Sequence, residues 1–375
     1  MVRVLFVSHT FPPADKPLAN IGGMQRVAVD LSRYLAELPD IDLRLWACRG
    51  RGALAAVHTV QLELALLARL PERVRRERID VVLFSSVTSI FPLGFNGRRV
   101  RASGASVAAI AHGLDVTADN VAYQWLLRRA LGHVDRLFPV SRATGRTLVH
   151  LGVPQSKVHV LPNGIDLDRF GTDKAAPEHL TRHEAPPSAP VLVSVGRLVE
   201  RKGFAWFVDY VMPKLPDNTQ YWVVGEGPAR PSISAAVERR GLSDRVQLLG
   251  RVSEAALAEV YRRGDLFVMP NVPVANDMEG FGVVMLEAGL SGLFSVASDL
   301  EGIADVICQD QNGQLVPARD ADAFAQAITE ILADREALAQ RSRTAAAYVR
   351  EKFAWDRVAR EYARELHALS DLRTR

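Results

Sequence analysis

The chain has almost no cysteine, with Cys48 and Cys308 its only two in 375 residues. Two thiols so far apart in sequence make neither a disulfide framework nor a cysteine metal site, and both read as small core residues. Long apolar runs are missing too. No stretch of about eighteen uncharged apolar residues occurs, which excludes a transmembrane helix. The N-terminus passes directly into Val2-Arg3-Val4-Leu5-Phe6-Val7 without a cleavage signal, so a cytoplasmic protein is expected. The nine histidines show no metal-ligand spacing, and the D-x-D string Asp166-Leu167-Asp168 lies in what reads as an interdomain turn; no metal is assigned. The G-x-G-x-x-G fingerprint is also absent, which disfavours an NAD-dependent enzyme.

With 48% hydrophobic residues, the chain can bury two cores of ordinary domain size. Its net charge of +3 is unevenly spread. Residues 1–174 hold 23 Lys and Arg against 15 Asp and Glu, a surplus of eight, while the remaining 23 basic and 28 acidic residues leave a deficit of five. Part of the surplus is local: Arg69, Arg73, Arg75, Arg76 and Arg78 follow Leu62, Leu64, Leu66, Leu67 and Leu70. This segment reads as an amphipathic surface helix whose pattern Pro71 interrupts. The alternative is a peripheral contact of the basic N-terminal half with an anionic membrane, at its inner face. No aromatics are interleaved with these arginines, so nucleic acid is not an expected partner.

Short apolar runs alternate with helical patterns. Strands are expected near 2–8, 42–48, 80–85, 106–111, 136–140 and 157–161 and, after an aperiodic proline-rich break from Asp173 to Pro190, near 191–195, 220–224, 246–249, 265–269 and 293–297, with helices to the C-terminus. That pattern predicts an α/β chain of two doubly wound domains with a cleft between them, binding ligands at the carboxyl ends of its strands.

The most informative string is Glu279-Gly280-Phe281-Gly282-Val283-Val284-Met285-Leu286-Glu287. On a helix its two acids would stand two turns, or at most roughly 12 Å, apart on nearly the same side. The run between them is too apolar for a solvated face, so the carboxylates need partners. Open N–H groups at the helix start would seat phosphate. A nucleotide sugar suits such a site, with one acid on the sugar and the other on the ribose. Arg197 and Lys202, after the strand Val191–Val195, would neutralise a diphosphate leaving group. Gly22-Gly23, just before the helix 24–31, lets backbone approach phosphate, although a tight turn needs the same residues. His112 ends another strand at the predicted ligand-binding edge.

In order and spacing, these strings resemble the family 4 retaining glycosyltransferases of the GT-B fold. The resemblance runs through Phe11-Pro12-Pro13 with Gly22-Gly23, His112-Gly113, Val140-Ser141, Pro162-Asn163-Gly164-Ile165-Asp166, Gly196-Arg197 with Lys202-Gly203, Gly225-Glu226-Gly227-Pro228, Gly250-Arg251-Val252, the glutamate string, Asn312-Gly313 and Phe353-Ala354-Trp355. It implies two Rossmann-like domains facing each other across a cleft: an acceptor-side domain over 1–162, a donor-binding domain over 163–355 with a linker at about 163–190, and a helix over 356–375 crossing back to the first. It also implies roles. Arg197 and Lys202 match the cations on the donor diphosphate, and Gly22 and Gly23 the loop that approaches the phosphate. Glu279 matches the acid beside the transferred sugar, near the N–H groups of Phe281, Gly282 and Val283, and Glu287 the acid on the ribose. Arg251 and Val252 match the segment beside the base, and His112 the residue near the sugar's reacting face.

The function implied is metal-independent transfer of a hexosyl group, with retention, from a UDP- or GDP-sugar to a lipid, glycan or small-molecule acceptor, without a cofactor. The rival readings are a nucleotide-sugar epimerase or phosphorylase of the same fold and a non-catalytic nucleotide-sugar binding protein. The chain departs from the family pattern in the long approach Met269–Met278, in Ser291-Gly292-Leu293-Phe294, and in Glu301-Gly302-Ile303-Ala304. These departures alter loops near the sugar without removing the phosphate or glutamate strings.

Overall fold

The computed structural model describes residues 1–9, 11–12, 23–48, 54–169 and 189–374. Two compact units result, Met1–Asp166 with Trp355–Arg375, and Leu167–Ala354. The expected Asp173–Pro190 break falls mostly, and Gly22 wholly, outside the described residues.

Unit 1 holds β1 Val2–Ser8, β2 Ile41–Ala47, β3 Val81–Phe84, β4 Ser106–Ala111 and β5 Arg136–Pro139, paired in parallel in the order β2-β1-β3-β4-β5. Unit 2 holds β6 Val191–Val195, β7 Gln220–Val224, β8 Val246–Gly250, β9 Leu266–Met269, β10 Phe294–Asp299 and β11 Gly313–Pro317, parallel in the order β11-β10-β9-β6-β7-β8. β4 and β6 are buried along their whole length, as strands covered on both faces must be. Each order reverses once, between β1 and β3 in unit 1 and between β6 and β9 in unit 2. At such a switch point neighbouring connections leave in opposite directions and open a crevice at the carboxyl ends of the strands.

Three expectations are corrected. Residues 157–161 form no strand; they run beside β5 through one parallel bridge, Leu137 to Val158, and the bonds His159 N–H to Leu137 O and Leu161 N–H to Pro139 O. β11 was not anticipated, because Gly-Gln-Leu-Val-Pro has too short an apolar run to stand out. Pro71 does not interrupt its helix, which continues from Leu54 to Glu77. Proline has no N–H for the carbonyl four residues back, and here Asn96 supplies the missing donor: its side-chain amide reaches Leu67 O at 2.9 Å and Leu66 O at 3.0 Å. The arginines of this helix are not a bare charged end either. Arg73 lies over the Trp46 ring at 4.6 Å and pairs with Glu77, which also holds Arg44.

Two strings of the resemblance prove architectural. Trp355 N–H donates to Ile165 O, and a Cβ on Gly164 would fall 2.5 Å from the Trp355 ring. Asp166 accepts from Arg33 at 2.6 Å. Trp355 also opens the final helix, Trp355–Thr374, which packs on unit 1, where Ser106 Oγ–H donates to Leu369 O.

Candidate active site

In unit 2, close backbone approach assembles the strand ends. Gly196 N–H donates to Val224 O and Gly225 N–H to Gly250 O, and a Cβ on Gly225 would fall 1.9 Å from Gly196 O. Any side chain at Gly225 would therefore push the ends of β6 and β7 apart. After β6, Glu200–Lys202 makes one tight turn and Gly203 leaves it with φ 67°. A Cβ there would lie 1.9 Å from Pro270 O, so the turn after β6 is pinned to the loop after β9, across the switch point. This contact delivers Lys202 to the glutamate string.

Lys202 Nζ lies 2.6 Å from Glu279 Oε2, and both residues are buried. Asn271 donates its amide to the same oxygen at 3.2 Å, and Arg201 Nη2 stands 3.7 Å away. Burial is the largest influence on Glu279 and opposes its charge, but Lys202, Arg201 and the Asn271 bond together hold its carboxyl below the usual range. Burial likewise lowers the Lys202 pKa, with repulsion from Arg201 and Arg197 against the pull of Glu279. At 2.6 Å each group favours the charged form of the other. Arg197 is exposed beside them.

Two of the three departures from the family pattern meet at Glu279. Arg201 Nε is 3.4 Å from Asp277 Oδ1, an ion pair without hydrogen-bond geometry, and Arg201 Nε and Nη1 have no hydrogen-bond partner. Glu279 N–H donates to Glu301 Oε2 at 2.5 Å. Burial raises the Glu301 pKa, and the charges of Glu279 and Asp277 add to the rise. A Cβ on Gly302 would lie 2.0 Å from Gly280 O, so the Glu301-Gly302 turn fits only against a bare backbone.

The sequence expectation for the two acids is corrected in one respect. Glu279 is not helical: it precedes Gly282, whose φ is 88°, and the helix runs from Val283 to Leu290. The two-turn separation therefore does not apply. By helix geometry the N–H groups of Val283 and Val284 have no acceptor within the helix, and Phe281 packs edge-on to Phe353. Glu287 lies buried in the second turn, where Tyr261 donates its hydroxyl at 3.1 Å. Arg251 is exposed and Val252 half-buried in the loop after β8.

In unit 1, His112 leaves β4. Its Nε2 is 2.8 Å from Ser85 O, a carbonyl, so Nε2 carries the donating proton, while its backbone N–H donates to Asp115 Oδ1 at 2.8 Å. Asp115 is buried with Oδ2 unpartnered; burial raises its pKa against the lowering by His112 and by backbone donors. His9, at the end of β1, contacts Ser89 Oγ at 2.5 Å and Thr88 Oγ1 at 3.2 Å. Burial, with repulsion from His112, lowers its pKa. Gly23 opens the helix Gly23–Ala36.

The structure thus gathers Lys202 and Glu279 directly, with Arg197 close enough to act on Lys202. Sequence reading missed Arg201, Asn271, Tyr261, Asp115 and His9. Arg201 carried a signal in its place beside Lys202, and His9 in its place at a strand end next to the switch point.

The chain is similar to known proteins over both units. Residues 189–334 match the family described as glycosyl transferases group 1, and residues 21–169 match glycosyltransferase family 4. The chain is 28% identical to the GDP-mannose-dependent alpha-(1-6)-phosphatidylinositol monomannoside mannosyltransferase of Mycobacterium tuberculosis, over 97% of each chain. It is 29% identical to the putative colanic acid biosynthesis glycosyltransferase WcaL of Escherichia coli, over 74% of this chain and 69% of that one. Among solved structures, Anabaena HepE in complex with UDP-glucose superposes with a TM-score of 0.74 at 18% identity, covering 98% of this chain and 100% of that one. The catalytic domain of starch synthase IV from Arabidopsis thaliana gives 0.75 at 15% identity, covering 99% of each. With both halves matched and two parallel-sheet α/β domains of the GT-B type, the chain belongs to the family 4 glycosyltransferases.

Proposed function

We propose that the chain is a retaining, metal-independent glycosyltransferase that moves a hexosyl group from a GDP- or UDP-sugar to a lipid or cell-surface glycan acceptor. The observation that carries the reading is the buried pair Lys202–Glu279, with Arg197 and Arg201 beside it. Without donor, Glu279 neutralises Lys202. An arriving diphosphate competes for the ammonium, and the carboxylate is released to accept sugar hydroxyls while Arg201 and Asn271 keep it compensated. Arg197, Lys202 and the open N–H groups at Val283 then stabilise the charge that grows on the leaving phosphate, the task a divalent ion performs elsewhere. Glu287 is assigned to the ribose, with Tyr261 orienting it, and Arg251 and Val252 to the base. His112 is assigned to the sugar and unit 1 to the acceptor.

Retention follows from substitution on one face. The bond from the anomeric carbon to the phosphate oxygen breaks, the bond to the acceptor oxygen forms, and the acceptor proton passes to the departing phosphate. GDP-mannose is the first donor to test, because the mycobacterial relative is GDP-mannose-dependent by name. The experiment incubates the purified chain with GDP-mannose or UDP-glucose, EDTA and candidate acceptors, and reads nucleoside diphosphate release and the anomeric configuration of the product. Retained configuration with EDTA present is expected. Inversion, a metal requirement, or a stable glycosyl-enzyme on Glu279 would each overturn the mechanism.

A further inference from the structure

His112 is held by groups from two different strand exits, and one buried acid ties those exits together. His112 and Gly113 leave β4, while residues 85–90 leave β3 through the short turn Val87–Ile90. The imidazole bonds to Ser85 O across that gap, so the ring is aimed only as well as the two exits are held in register. Asp115 lies in the one-turn helix Leu114–Thr117, 5% exposed, and takes the His112 N–H on Oδ1 at 2.8 Å. The N–H groups of Gly113, on the same exit, and of Val87, on the other, are directed to the same carboxylate. Gly113 permits this convergence with φ 106° and ψ −77°, a conformation that a side chain resists. Tyr123, on the helix Val121–Leu131, donates its hydroxyl to Asp115 O at 2.5 Å and so fixes the main chain of the acid itself.

Two observations separate this acid from an ordinary turn cap. It acts on both ends of the bond between His112 and Ser85. One end is the main chain that carries the ring. The other is the turn that carries the acceptor: Ser85 is anchored to β1 on its N-terminal side, by its N–H to Val7 O and its hydroxyl to Ser8 Oγ, whereas its carbonyl faces the stretch that leads to Val87. The second observation is that Asp115 Oδ2 is buried without a hydrogen-bond partner. An unsatisfied buried carboxylate oxygen costs stability, so selection for folding alone would favour a different residue here.

We propose that Asp115 is a positioning residue for transfer: by clamping the exits of β3 and β4 it sets the His112 imidazole against the sugar, without touching donor or acceptor itself. The inference rests on the assignment of His112 to the sugar. Its energetic basis is geometric, since a misplacement of about 1 Å in a positioned group costs on the order of a hundredfold in rate. The clamp lies wholly in unit 1, away from the residues assigned to the diphosphate, ribose and base, so its loss should act on turnover and not on the affinity for the nucleotide.

The test follows nucleoside diphosphate release by the full chain, with the donor that supports transfer, and resolves kcat from donor KM. Asp115→Ala should lower kcat by about ten- to a hundredfold and leave donor KM within about twofold. Asp115→Asn keeps an acceptor for the three N–H groups and should restore kcat to within about threefold of the parent. In a His112→Ala background, Asp115→Ala should change kcat by less than about twofold, because no ring is left to aim. If Asp115→Ala folds poorly, Tyr123→Phe loosens the same clamp from outside; a loss of about threefold or more is expected in the parent and none in the His112→Ala background. Parental kcat in Asp115→Ala, no recovery in Asp115→Asn, or an equal loss with and without His112 would overturn the inference. The last result leaves the assignment of His112 to the sugar standing, whereas parental kcat in His112→Ala alone would overturn that assignment and this inference with it.

Discussion

Replacing Lys202 by Met keeps the aliphatic stem that packs near Gly196 and removes the ammonium that Glu279 leans on. Breaking a buried ion pair from one side costs about 3–5 kcal/mol when the remaining charge has no other partner. Glu279 would retain Arg201 at 3.7 Å and Asn271 at 3.2 Å, so we expect about 2 kcal/mol at pH 7. The pH dependence gives the claim its sign. In the parent the Glu279 carboxyl titrates below its unfolded value of 4.5. The stability it contributes is thus fully present above that value and is lost as pH falls through the folded pKa. Without Lys202 the main opposition to burial disappears and the folded pKa rises. The deficit of the variant should then be largest near neutrality and shrink towards pH 4.5. Urea unfolding followed by circular dichroism at the two pH values measures this, and the double variant with Glu279→Gln should recover more than half of the loss. A deficit under about 0.5 kcal/mol at pH 7, or a double variant that loses the sum of the singles, would refute the reasoning. Transfer should fall by roughly a thousandfold in both variants, because stabilisation of the leaving group is lost in either.

Three further outcomes are expected. Tyr261→Phe removes the hydroxyl that orients Glu287 and should raise the donor KM several-fold, at about 1 kcal/mol, with kcat nearly unchanged in steady-state kinetics. Gly302→Ala places a methyl 2.0 Å from Gly280 O; displacement of the Glu279 loop should weaken nucleotide binding by more than about tenfold in calorimetry. Burial pushes the Glu63 carboxyl up to about 8. The unfolded chain ionises this group above about 4.5, so stability falls as pH rises from there to about 8. Glu63→Gln should therefore raise the melting temperature at pH 8 and leave it unchanged at pH 4, with a gain of about 1–2 kcal/mol.

Strand positions were legible where burial on both faces writes a continuous apolar run, as in Ser106–Ala111 and Val191–Val195. β11, at the sheet edge, needs only Val316 fully in the core, and its short run does not show. The charged strings were legible as residue types at strand ends. Their partners were not, because pairing depends on which loops the switch point brings together. Arg201 looks like one more surface cation in Glu-Arg-Lys until Gly203 is seen pressed against Pro270, turning it towards Asp277 and Glu279. Gly280 and Gly282 both read as the turn that opens the helix, and the sequence does not say which of them is its boundary; in the structure it is the left-handed Gly282, which leaves Glu279 outside the helix.

The proline inside Leu54–Glu77 has a consequence for how the protein reaches its fold. Since the amide that completes the Leu67 carbonyl comes from Asn96 on another helix, the middle of this 24-residue helix cannot close by local contacts alone. The hydrogen bonding of its middle turn is complete only once Leu93–Ala102 has docked. Pro71 and Asn96 therefore act as one heritable unit: a chain that loses the asparagine first carries an unsatisfied helix, while one that first replaces the proline sets the asparagine free to vary.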